Sequence, residues 1–271
     1  MSISLPYISY LRLPFRMEQD SHHILFHCIF NMLRICGKSW RCLIWVAILI
    51  GLFGDLHAQK PEIIYTGLED ATSLYATTNH LFVVESGKNR ILKLDHDGML
   101  IETLGGFGSG DYQFNGPTDI DATNGLKIYI SDTGNNRVQI YDRRFQFLST
   151  IDGSMISGIR RFQPTQLVVN EFGELFVFDT YSNSILRFDE NGSLISSFKP
   201  VNGLIPDEIV LVNEQLELTD AKKGVIQIMS QNGLSVELFE IDFQGQELIR
   251  TATVKGLVFL LTGGTIEKEA K

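Results

Sequence analysis

Short runs of alternating apolar and polar residues, separated by tight turns, fill most of the chain beyond residue 60. The stretch Pro117–Asp142, PTDIDATNGLKIYISDTGNNRVQIYD, contains three such runs and two turns, at Asn124-Gly125 and at Thr133–Asn136. Asn and Gly tolerate the positive φ of hairpin turns, so alternation on both sides of them predicts antiparallel strands. A sheet of three or four strands has two faces to bury and cannot cover itself. Further copies of this unit must supply the burial.

Such copies recur at regular intervals. In each, an apolar strand ends in an acidic residue and a turn leads into another alternating run; the acidic residues are Glu85, Asp132, Asp179 and Asp220. They stand 47, 47 and 41 residues apart. A fourth alternating run closes each copy, and a shorter fifth copy spans residues 247–267. Four short strands repeated every ~40–50 residues predict the blades of a β-propeller and not a helical solenoid.

The fifth copy lacks an outer strand, and residues 61–67 stand in the place along the chain that can supply one. They come immediately before the inner strand of the first copy. Completing the last blade in this way removes the exposed edges of an open array. The sequence therefore predicts an all-β propeller of five four-stranded blades, closed by segment 61–67. The alternative is a six-bladed propeller cut short, because the third strand of the last copy, 264–268, is weak.

Residues 1–58 differ from the rest of the chain and are predicted to be a leader. Positively charged residues precede an uncharged apolar run, 42–54, and Leu56-His57-Ala58 offers a cleavage site after it. Thirteen residues are fewer than the roughly 20 that span a bilayer, and they suit the central region of a signal peptide. We predict a signal peptide or an uncleaved membrane anchor, with an over-extended start, and a propeller over 59–271 in the periplasm or outside the cell. A buried helix is the alternative for the apolar run.

Charge and cysteine content exclude several classes of protein. The formal net charge is −9, whereas nucleic-acid-binding proteins usually carry a basic excess, so we expect no nucleic-acid partner. The three cysteines, Cys28, Cys36 and Cys42, all lie in the leader. The segment 59–271 therefore has no disulfide and no thiolate metal site. It also lacks the G-x-S-x-G motif of a nucleophilic serine.

The second copy resembles an NHL repeat of the exported bacterial type. The resemblance is carried by Pro117–Ile120, Ile128–Asp132 and Asn135–Tyr141, and the glycine-rich linker 105–114 is similar to those between NHL blades. It extends more weakly over about residues 62–239. The resemblance implies the propeller fold. It leaves the activity open, because NHL propellers serve as ligand platforms, sensor domains, RNA-binding modules and enzymes.

The polar residues that recur from copy to copy are expected to be structural. They are Asp132, Asn136, Arg137, Asp179 and Asn183. Asp and Asn favour turns because their side chains bond nearby backbone groups. A catalytic set would be built once in the ring, so residues repeated in several blades are predicted to hold the blades together.

Residues that depart from the repeat are the candidates for ligand contact. Asp119, Asp121, Gln166 and Glu208 lie near the starts of the predicted inner strands, which line the central channel of a propeller. If these side chains converge, they form an acidic channel mouth for a cation or a basic peptide. Calcium takes six to eight oxygen ligands, which carboxylates and backbone carbonyls can begin to supply.

Two functions from different classes remain open. The first is an exported, monomeric, non-catalytic propeller without a cofactor, which binds a protein, peptide or glycan through the loops of one face. The second is a lyase or hydrolase assisted by calcium or zinc at the channel mouth. Only His80 and His96 occur beyond the leader, both in predicted turns. A zinc site built on histidines is therefore disfavoured, and the first function is preferred.

Overall fold

The computed structural model describes residues 61–123, 125–154, 156, 159, 161–240, 250–254, 257–262 and 264–270. All of these belong to the unit Gln59–Lys271. The predicted leader, with its apolar run 42–54, lies outside the described residues, and its role in export or anchoring stays a prediction. No helix in the described part of the chain has the length and apolar character needed to cross a membrane.

The described residues form five antiparallel sheets of four strands. The strands are β1 (Glu62–Thr66), β2 (Ala71–Ala76), β3 (Leu81–Glu85), β4 (Arg90–Leu94), β5 (Leu100–Gly105), β6 (Pro117–Asp121), β7 (Lys127–Asp132), β8 (Arg137–Asp142), β9 (Phe147–Asp152), β10 (Pro164–Val169), β11 (Leu175–Asp179), β12 (Ser184–Phe188), β13 (Leu194–Phe198), β14 (Glu208–Val212), β15 (Gln215–Asp220), β16 (Val225–Ser230), β17 (Ser235–Glu240), β18 (Arg250–Val254), β19 (Leu257–Thr262) and β20 (Thr265–Ala270). Short 3-10 turns occupy Ser86–Lys88, Thr133–Asn135 and Val201–Gly203.

Each sheet is one blade of a propeller, which confirms the predicted fold class. Blades 1 to 4 contain β2–β5, β6–β9, β10–β13 and β14–β17, each in chain order. Blade 5 contains β18, β19 and β20, with β1 as its outermost strand. Strand β1 pairs antiparallel with β20, with Glu62 opposite Lys268 and Thr66 opposite Thr265. The segment predicted to complete the last blade therefore does so.

Hydrophobic cores lie between neighbouring blades. The second strands β3 and β11 are buried at every position, because their alternating side chains pack against a blade on each side. One core joins blades 1 and 2 through Phe114, Ile130 and Tyr141, and the next joins blades 2 and 3 through Phe162 and Phe188. Burying each such side chain contributes about 1.5–3 kcal/mol. Each blade therefore depends on its neighbours for the burial of its apolar side chains.

The connections divide into two faces at opposite ends of the strands. We call one the linker face: it carries the interblade linkers 106–116, 153–163 and 199–207, together with the turns that follow β3, β7, β11 and β15. The opposite end, the turn face, carries the turns between first and second strands and between third and fourth strands of each blade. Because the linkers are longer than the turns, the linker face carries longer loops than the turn face.

Basic side chains of one blade reach the turn between the third and fourth strands of the next blade. The contacts are from Lys93 to the Arg143 carbonyl at 3.4 Å, from Lys127 to the Glu190 carbonyl at 3.1 Å, from Arg187 to the Asn232 Oδ1 at 2.7 Å, and from Lys268 to Asp97 at 2.6 Å. Such contacts join blade 5 to blade 1, blade 1 to blade 2, blade 2 to blade 3, and blade 3 to blade 4. They add polar connections on the turn face to the apolar cores between blades.

Candidate functional site

Asp132, the acidic residue that the sequence identifies as recurrent, is the centre of a buried hydrogen-bond network in blade 2. Its side chain is fully buried. It accepts hydrogen bonds at 2.8 Å from the Asn115 backbone N–H, from the Asn135 side-chain amide and from Arg137 Nε, and one at 3.3 Å from the Gln139 amide. A buried carboxylate is tolerated only when it is paired and hydrogen-bonded. Asp132 therefore stabilises this blade by holding its linker, its turn and the start of β8 together.

Arg137 extends this network to the linker before blade 2. Its terminal nitrogens donate to the backbone carbonyls of Ser109 at 2.9 Å, Gly110 at 2.9 Å and Gln113 at 3.0 Å. A guanidinium carries several donors in a rigid fork, so one side chain can hold several carbonyls at once. Arg137 therefore ties the glycine-rich linker to the turn of its own blade.

Blade 1 repeats the arrangement with a glutamate. Arg90 Nε lies 2.5 Å from one carboxylate oxygen of Glu85, and Lys88 Nζ lies 2.9 Å from the other. Burial raises the pKa of Glu85, but the hydrogen bonds from Lys88 and Arg90 outweigh this effect and hold the pKa below its usual range. The carboxylate is thus charged at neutral pH and fixed by two cations.

Blade 3 keeps the buried carboxylate, Asp179, but has Ser184 at the register position of the arginine. Backbone N–H groups donate to Asp179 from Gln163 at 2.7 Å, Tyr181 at 3.3 Å and Ser182 at 3.1 Å. Asp179 has no basic side-chain partner in the part of the chain that the structure describes. Ser184 therefore cannot tie the linker before blade 3 in the way that Arg137 ties the linker before blade 2.

Asparagine follows the turn in blades 1 to 3 because the backbone there is left-handed. Asn89, Asn136 and Asn183 have φ values of 53°, 55° and 51°. Asn adopts this conformation more readily than other residues with a side chain. The recurrence of Asn136 and Asn183 in the sequence thus has a local backbone cause.

Asp119, a predicted channel-mouth residue, connects the inner strands of three successive blades. It is 2% exposed. One carboxylate oxygen accepts a hydrogen bond from Ser73 Oγ in blade 1 at 2.6 Å, and the other accepts one from the Leu167 N–H in blade 3 at 2.8 Å. Both oxygens therefore have partners in the neighbouring blades.

Asp121 lies two residues further along β6, on the same face of the strand as Asp119. Its oxygens accept hydrogen bonds from the Thr123 N–H at 2.6 Å and from the Val169 N–H of blade 3 at 3.2 Å. Burial raises the pKa of Asp121 to about 6 against the opposing effect of these donors, and the charge of Asp119 raises it further. Burial and the charge of Asp121 also raise the pKa of Tyr75.

This raised pKa predicts a pH dependence of stability. Native Asp121 holds its proton up to about pH 6, whereas the unfolded side chain releases it near 3.8. The native state therefore binds more protons in that window, and its stability falls as pH rises through it, by about 3 kcal/mol. The variant Asp121→Asn has no titrating group at this position and should not show this fall. The difference in free energy of unfolding between the variant and the natural protein should therefore shift by about 3 kcal/mol in favour of the variant between about pH 4 and pH 7. Chemical denaturation across that range measures it.

Asp142 provides a control of opposite sign. Hydrogen bonds from the Gln146 backbone N–H, and then from Arg144, hold the pKa of Asp142 below its usual range. Its contribution to stability is present at neutral pH and is lost as pH falls through the lowered pKa. Asp142→Asn should therefore reduce stability at pH 7 relative to low pH. If both variants shift in the same direction, the assignment to Asp121 is wrong.

Gln166 and Glu208, the other predicted channel-mouth residues, lie half-buried on β10 and β14. Burial, and then the charge of Glu208, raises the pKa of Glu217. The structure thus brings Asp119 and Asp121 together and places Glu208 beside Glu217. Among the described residues, no group of three or more His, Cys, Asp or Glu side chains could hold a metal ion. Ligand or calcium binding at the four predicted positions stays a prediction.

Sequence reasoning missed a cleft on the linker face between blades 2 and 3. Its volume is about 740 Å³. Asn136, Ser154, Gln163, Arg161 and Tyr181 are among the residues that line it, over a floor that includes Ile156 and Phe162. The Arg161 guanidinium lies 5.3 Å from the centroid of the Tyr181 ring. The signal in the sequence was the serine at 184, where blade 2 has arginine.

The five four-stranded blades, joined by short turns and interblade linkers, define a β-propeller. The model of the NHL repeat matches residues 114–141, which cover the first three strands of the second copy, and this match confirms the resemblance of that copy to an NHL repeat. No curated protein matches the chain.

Solved structures of two lyases share the fold. A streptogramin B lyase is 12% identical with a TM-score of 0.54, and 78% of this chain and 72% of that chain are covered. A catalytically inactive virginiamycin B lyase from Staphylococcus aureus, solved with quinupristin, is 13% identical with a TM-score of 0.53, and the coverage is 78% and 74%. At this identity the likeness shows the propeller fold alone.

Proposed function

We propose that the protein is an exported, monomeric, non-catalytic propeller that binds a protein, peptide or glycan through its linker face. The cleft between blades 2 and 3 carries the proposal. Clefts of about 300–1,000 Å³ with a few convergent polar groups are the usual form of ligand sites, and this one measures about 740 Å³. The exposed aromatic ring of Tyr181 and the cationic side chain of Arg161 stand together at its rim.

The contacts of the inner-strand carboxylates support binding over metal-assisted catalysis. Asp119 and Asp121 use their oxygens for hydrogen bonds to Ser73, Leu167 and Val169 in the adjacent blades. A metal ion at the channel mouth would have to displace these donors and separate the inner strands. The net charge of −9 supports a partner other than nucleic acid.

Blade 3 offers a matched pair of exposed aromatic residues for testing this proposal. Tyr181 follows β11 on the linker face and is 55% exposed, whereas Phe172 precedes β11 on the turn face and is 71% exposed. Aromatic residues dominate the binding energy of protein interfaces, and truncating one costs about 2 kcal/mol or more. Tyr181→Ala should therefore weaken binding at least about tenfold, while Phe172→Ala leaves it unchanged.

Glycan and peptide arrays probed with the full-length protein provide the measurement. The natural protein and the two variants are compared on every ligand that is retained. Loss of binding in Phe172→Ala with retention in Tyr181→Ala would assign the ligand to the turn face. If no glycan or peptide is retained by the natural protein, the proposal of a binding module fails.

A further inference from the structure

The chemistry of the cleft is set first by Arg161. Its guanidinium contacts the ring of Tyr181, and within the described residues it has no carboxylate partner. A cation–π contact orients a guanidinium without neutralising its charge. Tyr181 remains 55% exposed despite the contact. The rim of the cleft therefore presents an oriented positive charge next to an accessible aromatic ring.

Three of the neutral residues that line the cleft are polar. Asn136 and Gln163 bring side-chain amides, and the Ser154 hydroxyl, which donates to the Asp152 carboxylate at 2.5 Å, can still accept a hydrogen bond. Amides and hydroxyls both donate and accept hydrogen bonds, which matches the alternating donors and acceptors of sugar hydroxyl groups. On the floor, Ile156 and Phe162 are 4% and 2% exposed. Among the described lining residues, the accessible aliphatic surface is thus limited to the half-buried Ile159.

The departure from the repeat removes one contact between the turn of blade 3 and the linker before it. In blade 2, Arg137 reaches back from the start of β8 to three carbonyls of the preceding linker. Ser184 stands at the same register position in blade 3, and its hydroxyl donates to the nearby Ser182 carbonyl at 3.2 Å. Ser184 therefore does not make the linker contacts that Arg137 makes in blade 2.

We propose that this cleft binds a carboxylate-bearing sugar, the uronate unit of an acidic glycan. The carboxylate pairs with the guanidinium of Arg161, which suits planar, bidentate recognition. The sugar hydroxyls bond to Asn136, Gln163 and Ser154, and the ring lies against Tyr181. The inference rests on the proposed function, since it assigns a ligand chemistry to the same face.

The charge of the whole protein limits the length of this ligand. Beyond residue 58 the chain has 18 basic and 29 acidic residues. A long polyanion would be repelled over much of this surface, because like charges repel within about 10 Å at ordinary ionic strength. A short acidic oligosaccharide, or the acidic end of a neutral glycan, meets the cationic rim and avoids that repulsion.

Isothermal titration of the full-length protein with a disaccharide of galacturonic acid, and with the neutral digalactose, tests the assignment. We expect the acidic sugar to bind at least about tenfold more tightly, the usual effect of one charge-assisted hydrogen-bonded pair. Arg161→Met should abolish this preference. Arg144→Met removes an exposed arginine from the turn face and should retain it. Thermal unfolding of both variants confirms that they are folded.

Each other outcome overturns the proposal. Equal affinity for the two sugars, a preference that survives Arg161→Met, or no binding of the acidic sugar at about 10 mM rejects an acidic-sugar site. Binding of triglutamate that depends on Arg161, without binding of the disaccharide, replaces the sugar with an acidic peptide and leaves the proposed function intact. The proposed function fails separately, in the array experiment with Tyr181→Ala.

Discussion

Replacing Gly98 by alanine is expected to lower the free energy of unfolding by about 2–5 kcal/mol. Gly98 has φ +84°, and a Cβ atom at this position would lie 2.0 Å from the carbonyl oxygen of Ile64. Ile64 belongs to β1, the strand that completes blade 5. The alanine therefore strains the turn between β4 and β5 and pushes the closing strand away from its neighbour. Urea denaturation of the full-length protein measures the loss.

Gly67 separates the two causes of this effect. It has φ +80°, but a Cβ atom there meets nothing within 4 Å. Gly67→Ala should therefore cost only the backbone strain of about 1–2 kcal/mol. Hydrogen exchange should accelerate at β1 in Gly98→Ala and stay unchanged there in Gly67→Ala. Equal destabilisation of the two variants would show that contact with β1 has no part in the effect.

Replacing Arg137 by methionine is expected to lower the free energy of unfolding by about 3–5 kcal/mol, the cost of breaking a buried ion pair. Asp132 is fully buried and Arg137 is 12% exposed, so the carboxylate loses its cation without gaining water. The three linker carbonyls lose their donor as well. Limited proteolysis within 106–116 should therefore accelerate, together with the fall in the denaturation midpoint.

Two further variants isolate the ion pair. Arg144→Met removes an exposed arginine and should change stability by no more than about 0.5 kcal/mol. Asp132→Asn combined with Arg137→Met removes the buried charge as well as its partner, so the double variant should lose less than the sum of the single losses. Additive losses would contradict the structural reading of this pair.

The fold was predictable because its cause is local and repeated. Alternating runs and asparagine turns occur in each copy, and Asn136 needs only its own left-handed backbone to explain it. The place of residues 61–67 followed from counting strands, and the pairing of β1 with β20 agrees with that count. Properties that a single blade determines can thus be read from a single stretch of sequence.

The site was less predictable because it depends on contacts between blades. Position in the repeat identified Asp119 as unusual, but its partners, Ser73 and Leu167, lie 46 and 48 residues away in other blades. The cleft brings Asn136 of blade 2 together with Arg161 and Tyr181, which precede β10 and follow β11 of blade 3. The pattern within one copy contains no information about such contacts.

The pairing of β1 with β20 means that β1 stays unpaired until the last strand has been synthesised. Glu62 and its partner Lys268 are 206 residues apart. At ribosomal speeds of about 5–20 residues per second, β1 waits roughly 10–40 s for its partner after it is made. An unpaired strand edge is prone to mispair with other chains. The rate of synthesis therefore sets how long the edge of β1 in each nascent chain can mispair before blade 5 forms.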